Sequence, residues 1–426
     1  MIAFFRVLWY DIIVYYFERI STMIQIAILG FGVVGSGTAE VLTQNKTIIE
    51  KKVGQPVAIK YILDLRDFPD HPLGHLVTHD FNDILNDPEV SIVAEMMGGS
   101  HPAYDFTIQC LRAGKSVVTS NKEVVANFGT ELLAVAREMG VSYLFEASVG
   151  GGIPIIRPLR EDLASNRVIS VSGILNGTTN YILTRMNTAG ASFEDALREA
   201  QVKGYAEANP AADVEGTDAA RKIVILAAMS FGKRVDPKTI LCEGITKITS
   251  ADTELAASLG YAIKLIGYTT LQDGKILCMV SPRLVPLSNP IAGVSDVFNG
   301  ILVSADMVGE VMFYGPGAGK LPTASAVVGD LVDVMSHTPA GVHTPTWEDA
   351  AASDVANPDD YVCSHLVVLD APVAATEKLE AVFGALHHLT VEPGRFAFLS
   401  DPVSEGEIKR MIADANYPLV SRIRVL

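Results

Sequence analysis

Apolar residues gather into short unbroken runs that alternate with stretches of period near 3.6 from residue 26 to residue 145. The run IAIL at 26–29 leads into GFGVVG at 30–35 and then Thr38, Ala39, Val41 and Leu42 at helical spacing, which predicts strand, glycine turn, helix. Further strands are predicted at 57–63 (VAIKYIL), 91–97 (SIVAEMM) and 115–119 (KSVVT), with a helix over 104–113 closed by Gly114. This alternation predicts an α/β fold with a Rossmann-type doubly wound parallel sheet, whose ligands lie beyond the carboxyl ends of the strands.

Past residue 149 the pattern becomes α+β. A strand at 168–175 runs into NGTTN at 176–180 and a helix from Tyr181; Ser192 and Asp195 open a second helix over 193–202. A further helix carries the apolar run IVILAA at 223–228. Near the C-terminus a strand at 365–370, a helix at 377–386, a strand at 395–399 and a helix at 405–414 predict a small α+β domain. The expected organisation is an extension over 1–22, a nucleotide-binding domain over 23–148 and a second domain over 149–320. A helix over 321–342 then returns to the nucleotide domain, a Pro- and acid-rich linker spans 343–360, and a last domain covers 361–426.

A chain of 426 residues with 49% hydrophobic content can bury two or three cores, and a net charge of −16 argues against nucleic acid or an anionic membrane as partner. Cys110, Cys242, Cys278 and Cys363 form no CxxC pair, so neither a zinc knuckle nor a disulfide framework is indicated, and a reducing cytoplasm fits. The aromatic first 22 residues are broken by Arg6, Asp11, Glu18 and Arg19 and hold no uncharged run of the ~20 residues a membrane span needs. An amphipathic surface helix is one reading; a natural start at Met23 is preferred.

The helix around 222–228 holds the most informative residue. Lys222 sits among apolar neighbours with Asp218 four residues earlier on the same face, and a buried ammonium is costly unless it is paired or used. An ordinary surface pair and a functional one remain open on these grounds, with Glu207, Asp213 and Glu215 just upstream. In the first domain, Gly30, Gly32 and Gly35, with Phe31, Val33 and Val34, let a pyrophosphate approach backbone N–H groups. Asp64, at the end of the second strand, suits a ribose 2′-hydroxyl, whereas Arg66 suits a 2′-phosphate, so NAD and NADP both stay open. Gly98, Ser120 and Lys122 fall at strand ends, where Lys122 is either a ligand contact or a solvated loop lysine. Glu146 beside Gly150-Gly151-Gly152 reads as a hard-cation site or as a domain hinge. GPGAGK at 315–320 fails the phosphate-loop pattern, and His71, His75 and His79 are separated by Pro72 and Gly74, which break any helix that would align them on a metal.

Taken in order, GFGVVG, MGG at 97–99, SNK at 120–122, EASVGGGIPII at 146–156, GILNGTTNYIL at 173–183, GYAEANPAADVEGTDAARKIVILA at 204–227 and GPGAGKLPTAS at 315–325 closely resemble homoserine dehydrogenase. The resemblance covers about residues 23–340 and looks like the monofunctional form. It implies NAD(P)-dependent interconversion of L-aspartate-4-semialdehyde and L-homoserine, on the route to threonine, methionine and isoleucine. It implies Lys222 as acid–base group with Asp218 as its partner, and Lys122 as a second lysine near the carbonyl. Glu207 and Asp213 would hold the substrate ammonium, while Gly177, Thr178 and Tyr205 line the substrate; Gly319 joins the cofactor set. Glu146 with the carbonyls of Val149, Gly151 and Ile153 matches a monovalent-cation site for Na+ or K+, and a homodimer or higher homo-oligomer is expected through the second domain. The C-terminal domain resembles an ACT regulatory domain in degenerate form: Asp370-Ala371-Pro372-Val373-Ala374 stands where a Pro-Gly turn would bind an amino acid, so threonine is not expected to act there. A non-catalytic nucleotide-binding sensor on the same scaffold is the alternative.

Overall fold

The computed structural model describes residues 23–337, 344–392 and 394–426; the N-terminal extension lies outside them. Two compact units emerge. One runs to Ile156 and resumes over Ala318–Trp347; the other comprises Arg157–Gly317 and Glu348–Leu426.

The first unit is built on six parallel strands, β1 (Ile24–Leu29), β2 (Val57–Leu63), β3 (Val77–Thr78), β4 (Val90–Glu95), β5 (Ser116–Thr119) and β6 (Tyr143–Leu144), in the order β3-β2-β1-β4-β5-β6. Both faces are covered by helices, so the central strands read as continuous apolar runs rather than alternating ones. The order reverses between β1 and β4, which opens a crevice at their carboxyl ends. The returning helix, expected over 321–342, spans Lys320–His337, and residues 338–343 lie outside the described residues. It packs on the Val33–Gln44 helix at Gly37, where an added Cβ would lie 2.8 Å from the Lys320 carbonyl oxygen; Lys320 also pairs with Glu40 at 2.7 Å.

The second unit carries a ten-stranded sheet. Strand β7 (Val168–Ile174) lies between Tyr261–Gln272 and Phe298–Ala305, antiparallel to both. Tyr261–Gln272 and Lys275–Pro286 form a twelve-pair hairpin closed by Asp273 and Gly274, both at positive φ. The Gly177–Ala189 and Thr217–Phe231 helices pack on this sheet, and the latter meets it at Gly267, where an added Cβ would crowd Leu175 and Ile223.

The C-terminal segment is a βαββαβ unit of His365–Leu369, Thr376–Phe383, His387–Glu392, Arg395–Leu399, Glu405–Ala415 and Leu419–Val425. Its last strand joins the same sheet, pairing Arg424 with Arg283 and Val425 with Leu284 of Lys275–Pro286. The segment expected as a free linker over 343–360 is instead packed along its described part. Trp347 is buried against Phe145, and Glu348–Asp349 pairs with Lys233–Arg234.

Candidate active site

In the first unit, Gly30 takes φ of +87° at the end of β1, and a side chain on Gly35 would lie 1.9 Å from the Gly30 carbonyl oxygen. Gly32 caps the Val33–Gln44 helix and an added Cβ there meets nothing within 4 Å, which leaves the helix N-terminus bare for a phosphate. Gly30, Gly32, Asp64, Arg66, Met97 and Gly98 are among the residues lining a cleft of about 530 Å3 at the strand-order reversal, a fit for a dinucleotide. Val33 is exposed beside it; Phe31 turns its ring inward onto Phe68 and its N–H donates to Asp64 at 2.8 Å. Asp64 also accepts from Arg66 Nε at 2.9 Å and Nη2 at 3.0 Å, so Arg66 and then the Phe31 N–H hold its carboxyl down at about 2 against burial. Gly319 opens the Lys320–His337 helix at φ of +123°.

One carboxylate here escaped the sequence reading. Glu95, wholly buried at the end of β4, accepts from Met97 N at 2.7 Å and from the Thr119 hydroxyl at 2.6 Å, and burial pushes it up to about 7. The Thr119 hydroxyl in turn accepts from Asn121 N, while Asn121 Nδ2 donates to the carbonyls of Met97 and Gly99. Asn121 Oδ1 caps the Lys122–Met139 helix, so this ring of hydrogen bonds ties the loop with Gly98 to the loop with Ser120 and places Lys122 in a first helical turn.

In the second unit, Lys222 is 7% and Asp218 5% exposed, and Lys222 Nζ reaches Asp218 Oδ2 at 2.9 Å and donates to the Leu175 carbonyl at 2.7 Å. The surface-pair reading is thereby closed: this is a buried ion pair inside an apolar helix. Asn176 Nδ2 donates to Asp213 Oδ1 at 2.7 Å and to Asp218 Oδ2 at 3.0 Å, so Asn176, Asp213, Asp218 and Lys222 form one cluster. Gly177 and Thr178 lie within the first turn of a helix that starts four residues before Tyr181, because Asn176 caps it. Gly177 packs against the Val297 carbonyl, 2.7 Å from where a Cβ would stand. The Thr178 hydroxyl donates to the Tyr205 carbonyl at 2.7 Å, and the Tyr205 ring stacks edgewise on Tyr181. Glu207 is exposed, its carbonyl accepting from Gln201.

The glycine segment holds Glu146 buried, with Oε1 accepting from Ile155 N at 2.6 Å and Ile156 N at 2.8 Å and its own N–H donating to Asp330. Turn bonds there use the carbonyls of Phe145 and Gly150, and Gly151 takes φ of +58°. The donor set of one carboxylate with Val149, Gly151 and Ile153 carbonyls suits a hard monovalent ion.

Among the described residues the cluster of metal-ligating type is Cys363, His365 and Glu405, with no part for His71, His75 or His79. Both Glu405 oxygens accept from guanidinium groups, of Arg422 and Arg424, and Arg424 reaches on to Glu243. Although burial pushes Glu405 up, His365 and Arg424 outweigh it and hold the acid low. Two adjacent cations make this an ion-pair hub rather than a metal centre. Among the described residues no helix is long and apolar enough to cross a membrane.

The family model for homoserine dehydrogenase matches residues 154–332, and that for the homoserine dehydrogenase NAD-binding domain matches residues 30–146. The chain is 44% identical over 322 residues to the homoserine dehydrogenase of Bacillus subtilis, 75% of this chain and 74% of that one. A solved homoserine dehydrogenase from Thiobacillus denitrificans superposes with a TM-score of 0.87 at 35% identity, covering 95% of this chain and 98% of that one. A hyperthermophilic archaeal homoserine dehydrogenase in complex with NADPH gives 0.64 at 27% identity, over 75% and 99%. With glycine turn, dinucleotide crevice and buried lysine in place, the chain belongs to the homoserine dehydrogenase family and interconverts L-aspartate-4-semialdehyde and L-homoserine with a nicotinamide dinucleotide.

Proposed function

We propose that Lys222 is the acid–base group of this reaction and Asp218 its partner, and the observation that carries the reading is the buried 2.9 Å pair. A bound nicotinamide dinucleotide supplies the hydride to the aldehyde carbon and takes it back from the alcohol carbon. The Lys222 ammonium protonates the alkoxide oxygen that forms; in the other direction the neutral amine removes the hydroxyl proton. Asp218 and the Leu175 carbonyl aim Nζ. Asp213 and Glu207 hold the substrate ammonium, Gly177, Thr178 and Tyr205 line the rest, and Lys122 is the second lysine for the carbonyl. This assignment supports catalysis over the non-catalytic sensor.

The cleft set of Gly30 to Gly35 with Gly98, Ser120 and Gly319 takes the dinucleotide. Asp64 accepts from an NAD ribose; for NADP, Arg66, 63% exposed at its side chain, swings from Asp64 to the 2′-phosphate. Glu146 and the Val149, Gly151 and Ile153 carbonyls hold Na+ or K+ as a structural brace. The C-terminal βαββαβ unit is ACT-like, and the assembly is a homodimer or higher homo-oligomer through the substrate unit.

Lys222→Ala is expected to lower turnover by on the order of 10²–10⁴ with dinucleotide affinity unchanged. Near-normal homoserine oxidation by this variant would remove Lys222 from the mechanism. Glu207→Ala should raise KM for homoserine more than for an analogue lacking the amino group; equal rises would deny it the ammonium.

A further inference from the structure

The cluster around Lys222 is organised by a residue that no role above uses. Asn176 is 7% exposed and faces two ways. Its Oδ1 accepts from Thr179 N at 2.9 Å and from the Thr179 hydroxyl at 3.1 Å, capping the Gly177–Ala189 helix. With the oxygen so committed, the amide nitrogen must point away from the helix, and its two N–H groups reach Asp213 Oδ1 at 2.7 Å and Asp218 Oδ2 at 3.0 Å. Asp218 Oδ2 is the atom that Lys222 meets, and the residue before Asn176, Leu175, gives Lys222 its second acceptor.

Capping alone does not select asparagine. Asp and Ser cap a helix about as well, and each provides the acceptor oxygen. Neither places two N–H donors between a pair of carboxylates. Asp would add a third negative group beside one lysine, and Ser is too short to bridge. The demand for Asn comes from Asp213 and Asp218, which repel each other unless a donor lies between them.

We propose that Asn176 is a positioning residue for the reaction, its single amide fixing Asp218 against Lys222 and Asp213 at the ammonium site at once. The inference rests on the reading of Lys222 as acid–base group and goes beyond it by naming what aims the pair. Because the same amide touches both acids, substrate anchoring and proton transfer share one geometric reference. A displacement of either by about 1 Å is expected to be felt in turnover at the level of roughly 10²-fold.

The test compares the full-length wild type with Asn176→Asp, Asn176→Ser and Lys222→Ala, reading kcat and KM for homoserine oxidation across pH together with melting temperature. Asn176→Asp keeps the cap but buries a third carboxylate and loses both donors, so its melting temperature falls by several degrees, while kcat falls by about 10- to 100-fold. The limb of kcat/KM that rises with pH moves to higher pH by about one unit, because a third carboxylate facing Lys222 together with Asp213 and Asp218 favours the ammonium. Asn176→Ser lowers kcat with a smaller displacement of the limb, since no charge is added, and it carries the test if the Asp variant does not fold. Wild-type kcat and an unmoved limb in these variants, beside an inactive Lys222→Ala, would overturn the role of Asn176 alone. Near-normal turnover in Lys222→Ala would overturn the reading beneath it.

Discussion

Glu95 is a carboxylate held entirely out of water, and its cost has a pH signature. Burial raises it from 4.5 to about 7, so between those values the folded chain keeps a proton that the unfolded chain has released. Its contribution to stability is complete below the unfolded value and is lost as pH rises through the folded one, by on the order of 3 kcal/mol. Glu95→Gln keeps an acceptor for Met97 N–H and cannot ionise. Its melting temperature is therefore expected to run near the wild type at about pH 5 and several degrees above it at about pH 8. Parallel curves would place Glu95 in contact with water. At the edge of the same cleft, Arg66→Ala should raise KM for NADP severalfold and leave NAD little changed, because Asp64 stays in place. An equal rise for both coenzymes would show that Arg66 takes no 2′-phosphate.

At the scale of elements, the nucleotide sheet was legible because buried parallel strands are unbroken apolar runs separated by glycine turns. Helix starts were less so: Asn176 and Asn121 cap their helices with side chains that also reach other loops, and sequence shows the capping residue without the second contact. Two strands of the C-terminal unit went unread. Leu419–Val425 carries Arg422 and Arg424, which look solvated in sequence and are neutralised by Glu405 and Glu243 in the fold. His387–Glu392 opens on two histidines that mask its alternation. The hairpin at Asp273-Gly274 was overlooked although Asp-Gly between apolar runs is its usual mark. A glycine prediction separates architecture from binding. Gly32→Ala puts a methyl into open space, so the melting temperature is unchanged, whereas the affinity for dinucleotide measured by NAD(P)H fluorescence falls about tenfold or more. Unaltered affinity would move the pyrophosphate away from Gly32.

For the whole molecule, the buried lysine was legible as an anomaly in an apolar helix, but its partners came from distant segments: Leu175 and Asn176 lie 47 and 42 residues from the groups they bind. The C-terminal unit is no detachable appendage, since Arg424 is buried and pairs with Glu243 across a shared sheet. In its turn after Asp370, Pro372 has no N–H to offer a ligand and the Ala375 N–H closes back on the Pro372 carbonyl at 2.9 Å. Threonine at millimolar concentration is thus expected to leave homoserine oxidation by the full chain unchanged; inhibition that vanishes in Asp370→Ala would contradict this. On the proposed role of Lys222, its loss removes proton transfer and leaves binding intact. Single-turnover oxidation of NAD(P)H by aspartate-4-semialdehyde, followed by stopped flow at saturating coenzyme, tests it most directly. Lys222→Ala is expected to slow this step by on the order of 10²–10⁴ with coenzyme affinity intact, whereas a hydride-transfer rate near that of the wild type would contradict the role of Lys222.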